Sequence, residues 1–240
     1  MTQRLLGYSD EELSQSPYAR FFNPELDPLR PQVAEALLVG PQAHELFAPA
    51  ADAASMIEPG YWPVETGYAR PPDGSIRVFC LTKMPRVTPQ MWDWWFGWHG
   101  CEAQRYKLWH PKAHVNAQWA DGRSDESYVG RISHITEYLG PKLAKGAIGF
   151  VSPSVLGFDE DRLAKQGEVV ICARVGLPGA PLKAGWLLHQ LRPVEGGSEM
   201  RSRMWMGGEN VALGDNPGAL GRGFAKGLRP IAGKLLPSPA

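Results

Sequence analysis

From Gln104 onward the chain is a succession of short apolar segments: QRYKLW, HVNAQWA, ESYVGRISHITEY, GAIGFVS, GEVVICARV, AGWLLHQL and EMRSRMWM, each separated from the next by Gly, Pro or Asp. Runs rich in β-branched and aromatic residues between turn residues read as strands. Strands that follow one another through short turns pair antiparallel, because a parallel crossover needs a dozen or more connecting residues. This half of the chain is therefore expected to form an antiparallel sheet.

The first 85 residues read differently, with frequent Pro and Ala and short helix signals: Ser9 ahead of Asp10, Glu11 and Glu12, and Pro31 opening PQVAEALLVG. A strand is expected over Ile76 to Leu81, after the turn PPDG, and Thr88-Pro89 opens a helix. In that helix Met91, Trp94, Trp95 and Trp98 recur at helical spacing, and the stripe is expected to be buried and to end at Gly100. In the tail, Leu220, Phe224, Leu228 and Ile231 have the spacing of a final helix, although Gly221, Gly223, Gly227 and Pro230 weaken it. The fold class is α+β, with an N-terminal extension or small subdomain over 1–85 and the main domain over 86–236.

Composition narrows the function. The 25 basic residues balance 25 acidic ones in a chain of 240, so nothing points to nucleic acid or to an anionic membrane surface. No stretch reaches the roughly 18 apolar residues of a membrane span, and the start of the chain has no signal-peptide pattern. Cys80, Cys101 and Cys172 show no metal or redox spacing. A cytoplasmic protein with a small hydrophobic or aromatic substrate is expected, and a homodimer is compatible with the sequence. Of nine tryptophans, four fall between Trp92 and Trp98, rings that fill a core or line a cavity.

Individual residues carry further expectations. Glu137 stands among Ile135, Tyr138 and Leu139, where a carboxylate must be paired, metal-bound or protonated. His189 alternates with Leu187 and Leu191, so it should face the apolar side of its strand. Glu199, Arg201 and Arg203 alternate along one strand as an ion-paired outer face. His110 and His114 are four apart, but Pro111 between them rules out a shared helical face. His44, His99 and His134 have no partner spacing and are read as structural.

The blocks DWWFGWHG, RYKLWHPKAH, SYVGRISHITEYLG and LHQLRPVEGGSEMRSRMW, in that order between Gly60 and Gly208, resemble the conserved blocks of the diacetylphloroglucinol and phloretin hydrolases. The resemblance implies a helix-grip fold like that of Bet v 1 and START domains, in which a curved antiparallel sheet wraps a C-terminal helix around an apolar cavity. It implies hydrolysis of a carbon–carbon bond in an acylated phenol or related β-diketone-like compound. It also implies one zinc held by two His and two Glu, with His114 and Glu137 at the first two ligand positions, Tyr106 at a substrate-contacting position and His189 in the cavity. The other two ligands of the family form an H-x-x-x-E pair on the C-terminal helix. This sequence has no histidine after His189, and aligning its tail puts Arg222 and Lys226 near that pair. His110 or His189 could serve as a third ligand. Alternatives are a metal-free isomerase or cyclase of secondary metabolism, in which Arg222 or Lys226 stabilises a developing anion opposite Glu137, and a binding protein for a hydrophobic small molecule.

Overall fold

The computed structural model describes residues 6–124 and 127–214. The expected final helix, and with it Arg222 and Lys226, lies outside the described residues.

The elements are α1 (Asp10–Gln15), α2 (Pro31–Val39), β1 (Gly67–Ala69), β2 (Ile76–Pro85), α3 (Pro89–His99), α4 (Ala103–Trp109), β3 (His114–Trp119), β4 (Ile132–Leu139), β5 (Lys142–Val151), α5 (Glu160–Gln166), β6 (Val169–Gly176), β7 (Leu182–Val194), β8 (Gly197–Met206) and β9 (Ala212–Leu213). The described strands form one antiparallel sheet in the order β1-β2-β8-β7-β6-β5-β4-β3, with β9 on β7. The class is α+β, as expected. Because β2 pairs along its whole length with β8, the sheet begins on the N-terminal side of the boundary expected at residue 85.

Local chemistry sets the helix starts. The Ser9 hydroxyl accepts the Glu12 amide while the Glu12 carboxylate accepts the Ser9 amide, a reciprocal cap. Pro31 sits at the start of α2, and the Thr88 hydroxyl caps α3. No helix of the described residues is long and apolar enough to cross a membrane.

Alternation along the strands gives the sheet two apolar faces, each with its own core. One face carries Phe79, Cys172, Leu188 and Trp205, and the segment from Phe47 to Ile57 packs onto it. The other carries Ile148, Phe150, Ile171 and Leu191, and α3 packs onto it through Phe96, Trp92 and Trp95. The N-terminal segment and the α3–α4 pair thus clamp the sheet from opposite sides.

Glu199 and the two arginines of β8 point to the first face and are ion-paired, but that face is not open to solvent. Arg201 is 1% exposed and Arg203 0%. The Glu65 carboxylate holds Arg201 at 2.6 Å and also bonds Arg203, while Glu199 takes Arg192 Nε at 2.9 Å and the Tyr61 hydroxyl at 2.9 Å. Buried guanidiniums need such partners, and here the N-terminal segment supplies them.

Two local expectations are corrected. QRYKLW is helix α4, not a strand. Its Tyr106 lines the cavity, while Lys107, one residue on, is buried against Glu12 of α1. In α3 Phe96 and His99 are buried and Trp92 and Trp95 half-buried beside them, whereas Met91 is 55% and Trp94 47% exposed. Both stripes have helical spacing, and the one that contains Trp92, Trp95 and Phe96 faces the sheet.

Candidate active site

A cavity of about 610 Å³ lies against the α3-covered face of the sheet. Its wall is mostly aliphatic and aromatic, including Ile148, Phe150, Val175, Leu187, Met204 and Met206. The polar residues on its wall are three histidines, His99, His114 and His189, together with Tyr106, Ser133, Glu137, Lys142 and Lys145. Few polar groups in an apolar hollow are the usual build of a small-molecule site.

The segment HPKAH assembles the centre of this group. Pro111 cannot continue α4 and biases His110 away from helical backbone, and His110 stands at φ −143°, ψ 85°. One turn follows, with the amides of Ala113 and His114 bonded to the His110 carbonyl at 3.1 and 2.9 Å, and the chain re-emerges as β3. The turn lays the His114 ring flat on Tyr106, with centroids 3.7 Å apart and planes 2° apart. An irregularity in the β3–β4 pairing between His114 and Asn116 places His114 directly across from Glu137.

Hydrogen bonds orient the set. The His114 Nδ1 lies 2.9 Å from the Tyr106 carbonyl oxygen. A carbonyl only accepts, so Nδ1 carries the proton and Nε2 presents a lone pair. That Nε2 is 3.7 Å from the Glu137 carboxylate. The Tyr106 hydroxyl donates to the same carboxylate oxygen at 3.0 Å. Burial pulls the His114 pKa down to about 3, so the ring is neutral at pH 7. Burial raises the Glu137 carboxyl, partly countered by the Tyr106 hydrogen bond, and raises the Tyr106 phenol strongly, with the Glu137 charge adding to it. Two acceptors, His114 Nε2 and Glu137, therefore face one region beside a phenol donor.

The structure brings Tyr106, His114 and Glu137 together. His189 faces the cavity with Leu187, as its alternation predicts, and its Nδ1 is 2.8 Å from the Ser202 hydroxyl. It stands on β7, separated from β4 by β6 and β5. His110 stays beside His114, with ring centroids 5.6 Å apart. The residue that sequence reasoning missed is His99, read as structural and found on the cavity wall, its Nδ1 2.6 Å from the Trp95 carbonyl. The signal was present: Trp92, Trp95, Phe96 and His99 follow the i, i+3, i+4, i+7 spacing of one helical face.

Comparison with known proteins places the chain in a family. The profile of the "DAPG hydrolase PhiG domain" matches residues 47–228, most of the chain. The chain belongs to the DAPG hydrolase PhiG domain family. Among curated relatives of this DAPG hydrolase family member, it is 29% identical over 231 residues to 2,4-diacetylphloroglucinol hydrolase of Pseudomonas protegens, covering 90% of this chain and 74% of that protein. It is 29% identical over 219 residues to phloretin hydrolase of Eubacterium ramulus, covering 84% and 76%. Among solved structures, ginseng major latex-like protein 151 of Panax ginseng aligns over 68% of this chain and 99% of that chain, with TM-score 0.39 and 13% identity. Ara h 8.0201 aligns over 67% and 93%, with TM-score 0.36 and 13% identity.

The zinc implied by the resemblance can be tested against the residues of this family member. The donor chemistry of His114 is right for a ligand, with Nδ1–H anchored on a carbonyl and Nε2 free. A catalytic zinc takes three protein ligands, and no group of three His, Cys, Asp or Glu among the described residues could hold a metal ion. His110 and His189 thus do not complete a set with His114 and Glu137. Outside the described residues the sequence also carries Asp125, Glu126 and Asp215. Among the described residues the implied zinc set is therefore incomplete.

Proposed function

We propose that this chain hydrolyses the carbon–carbon bond between an aromatic ring and its acyl group in an acylated phenol, giving a carboxylic acid and the deacylated phenol. The observation that carries the reading is the convergence of His114 Nε2, the Glu137 carboxylate and the Tyr106 hydroxyl on the wall of an apolar cavity. The hydrolase names of the curated relatives support it, since both name acylated phenols.

The chain's own groups supply the steps as follows. The apolar wall takes the ring and acyl chain out of water. His114 Nε2 and Glu137, both acceptors, position a water molecule, and one of them removes its proton as the oxygen attacks the carbonyl carbon. Glu137 is the better base for a proton that must later be returned, because burial brings its affinity for protons closer to neutrality. The Tyr106 hydroxyl, a phenol that burial keeps protonated, donates to the negative charge that develops on oxygen. The ring–carbonyl bond then breaks, the ring carbon takes the proton, and the water oxygen stays in the acid. Ring hydroxyls make that carbon electron-rich and able to leave.

A second reading, a metal-free isomerase or cyclase, is favoured by the incomplete ligand set alone. The test is incubation of purified chain with 2,4-diacetylphloroglucinol, phloretin and simpler acyl phenols, with products resolved by liquid chromatography and mass. Release of acid and phenol supports hydrolysis. A product of unchanged mass supports isomerisation, and binding without consumption of any of these substrates would sink both.

A further inference from the structure

We infer that His99 is a substrate-recognition residue whose Nε2 accepts a hydrogen bond from a ring hydroxyl, so that the cavity selects hydroxylated aromatic rings over similar rings without a donor. The inference rests on the acyl-phenol reading for the reaction, but its own content is about binding.

His99 ends α3 and is held by rings on several sides: Trp95 stacks on it at 5.3 Å, and Phe96 and Trp109 meet it edge to face at 5.1 and 5.3 Å. Its Nδ1 is 2.6 Å from the Trp95 carbonyl. That carbonyl can only accept, so the tautomer is determined: Nδ1 carries the proton and Nε2 is an acceptor. The residue is only 5% exposed, yet it lines the cavity. Among the described residues nothing donates to its Nε2. Burial keeps the ring neutral at pH 7, with a pKa of about 4.

A neutral imidazole nitrogen with a free lone pair repels a ketone oxygen or a carboxylate and accepts from a hydroxyl. An acceptor left dry disfavours binding, and a site built to bond a hydroxyl rejects the analogue that lacks it. His114 presents a second acceptor of determined tautomer in the same cavity. His189 does not carry the argument, because its Ser202 partner can either donate or accept.

The probes are 1,3,5-trihydroxybenzene and the near-isosteric 1,3,5-trifluorobenzene. Neither has an acyl group, so binding is read apart from turnover: a chain that fails to cleave acyl phenols can still pass, and one that cleaves them can still fail. Dissociation constants are measured for the wild type, His99→Phe and His99→Gln. The hydroxyl-to-fluoro affinity ratio is expected to fall about tenfold or more in His99→Phe, with trifluorobenzene affinity little changed, and to be partly restored in His99→Gln, which keeps an acceptor. An unchanged ratio in His99→Phe overturns the inference. Should that variant not fold, ¹⁵N spectra of histidine-labelled wild type decide it. Saturating trihydroxybenzene should move the His99 Nε2 resonance, and a resonance that stays in place overturns the inference.

Discussion

At the scale of single residues, the site depends on which atoms carry protons. The His114 ring is anchored by Nδ1 to the Tyr106 carbonyl, and the Tyr106 hydroxyl bonds Glu137, so one tyrosine orients both of its partners. Tyr106→Phe keeps the ring stack and the carbonyl and removes only the hydroxyl. On the proposed reaction it should lower kcat by about 10²-fold with little change in KM. Glu137→Gln removes the base and should cost at least as much. Steady-state kinetics on an acyl phenol check both, and an equal fall in the affinity of a non-reacting analogue would mean that these groups bind rather than react. Glu137 was legible from its apolar neighbours and His189 from its alternation. His99 was not, because two stripes of α3 have equally good helical spacing and nothing in the sequence chooses between them.

At the scale of elements, α4 carries Tyr106 and is held from outside by α1. The Lys107 ammonium, 7% exposed, takes both oxygens of Glu12 at 3.0 and 2.9 Å, and the Tyr8 hydroxyl bonds the Gln104 carbonyl at 2.8 Å. Glu12 also closes the cap of α1, so helix start and helix docking share one carboxylate. Lys107→Met should therefore lower unfolding free energy by about 2 kcal/mol and reduce turnover through Tyr106. The charge-reversed pair Glu12→Lys with Lys107→Glu should recover part of both. Denaturant unfolding and kinetics on the single and double variants check this, and loss of stability with unchanged turnover would separate α1 from the site. The strands were legible because period-two patterning between turn residues has few other solutions. Helix α4 was not, since six mixed residues before His110-Pro111 fit a strand as readily as two helical turns. The burial of Arg201 and Arg203 was hidden for a different reason: their cover, Tyr61 to Glu65, lies more than 130 residues away in the chain.

At the scale of the whole molecule, one sheet is covered on one face by the N-terminal segment and on the other by α3, α4 and the cavity. Three histidines are buried neutral along that cavity, with His99 and His189 pulled down to about 4 and His114 to about 3 by burial. Between about pH 6.5 and 4 the unfolded chain binds protons that these rings refuse, so stability rises with pH through that window and is lost on acidification. His99 and His189 should each contribute about 2 kcal/mol to the loss by pH 5. The raised Glu137 acts in the opposite sense and offsets part of it. Thermal unfolding from pH 7.5 to 4.5 should show a falling midpoint that His189→Phe, which cannot titrate, flattens. Parallel curves for the two proteins would contradict the assignment.

The antiparallel sheet and the family resemblance were both legible at this scale, since long ordered blocks leave little freedom. The metal set was not, because only His114 and Glu137 of the implied ligands can be identified in the sequence. The most direct test of the proposed reaction is turnover of an acyl phenol in ¹⁸O-enriched water with mass analysis of both products. Hydrolysis of the ring–acyl bond predicts one ¹⁸O in the carboxylic acid and none newly gained by the phenol, with the signal lost in Glu137→Gln. Consumption that gives a single product of unchanged mass and no ¹⁸O would contradict it.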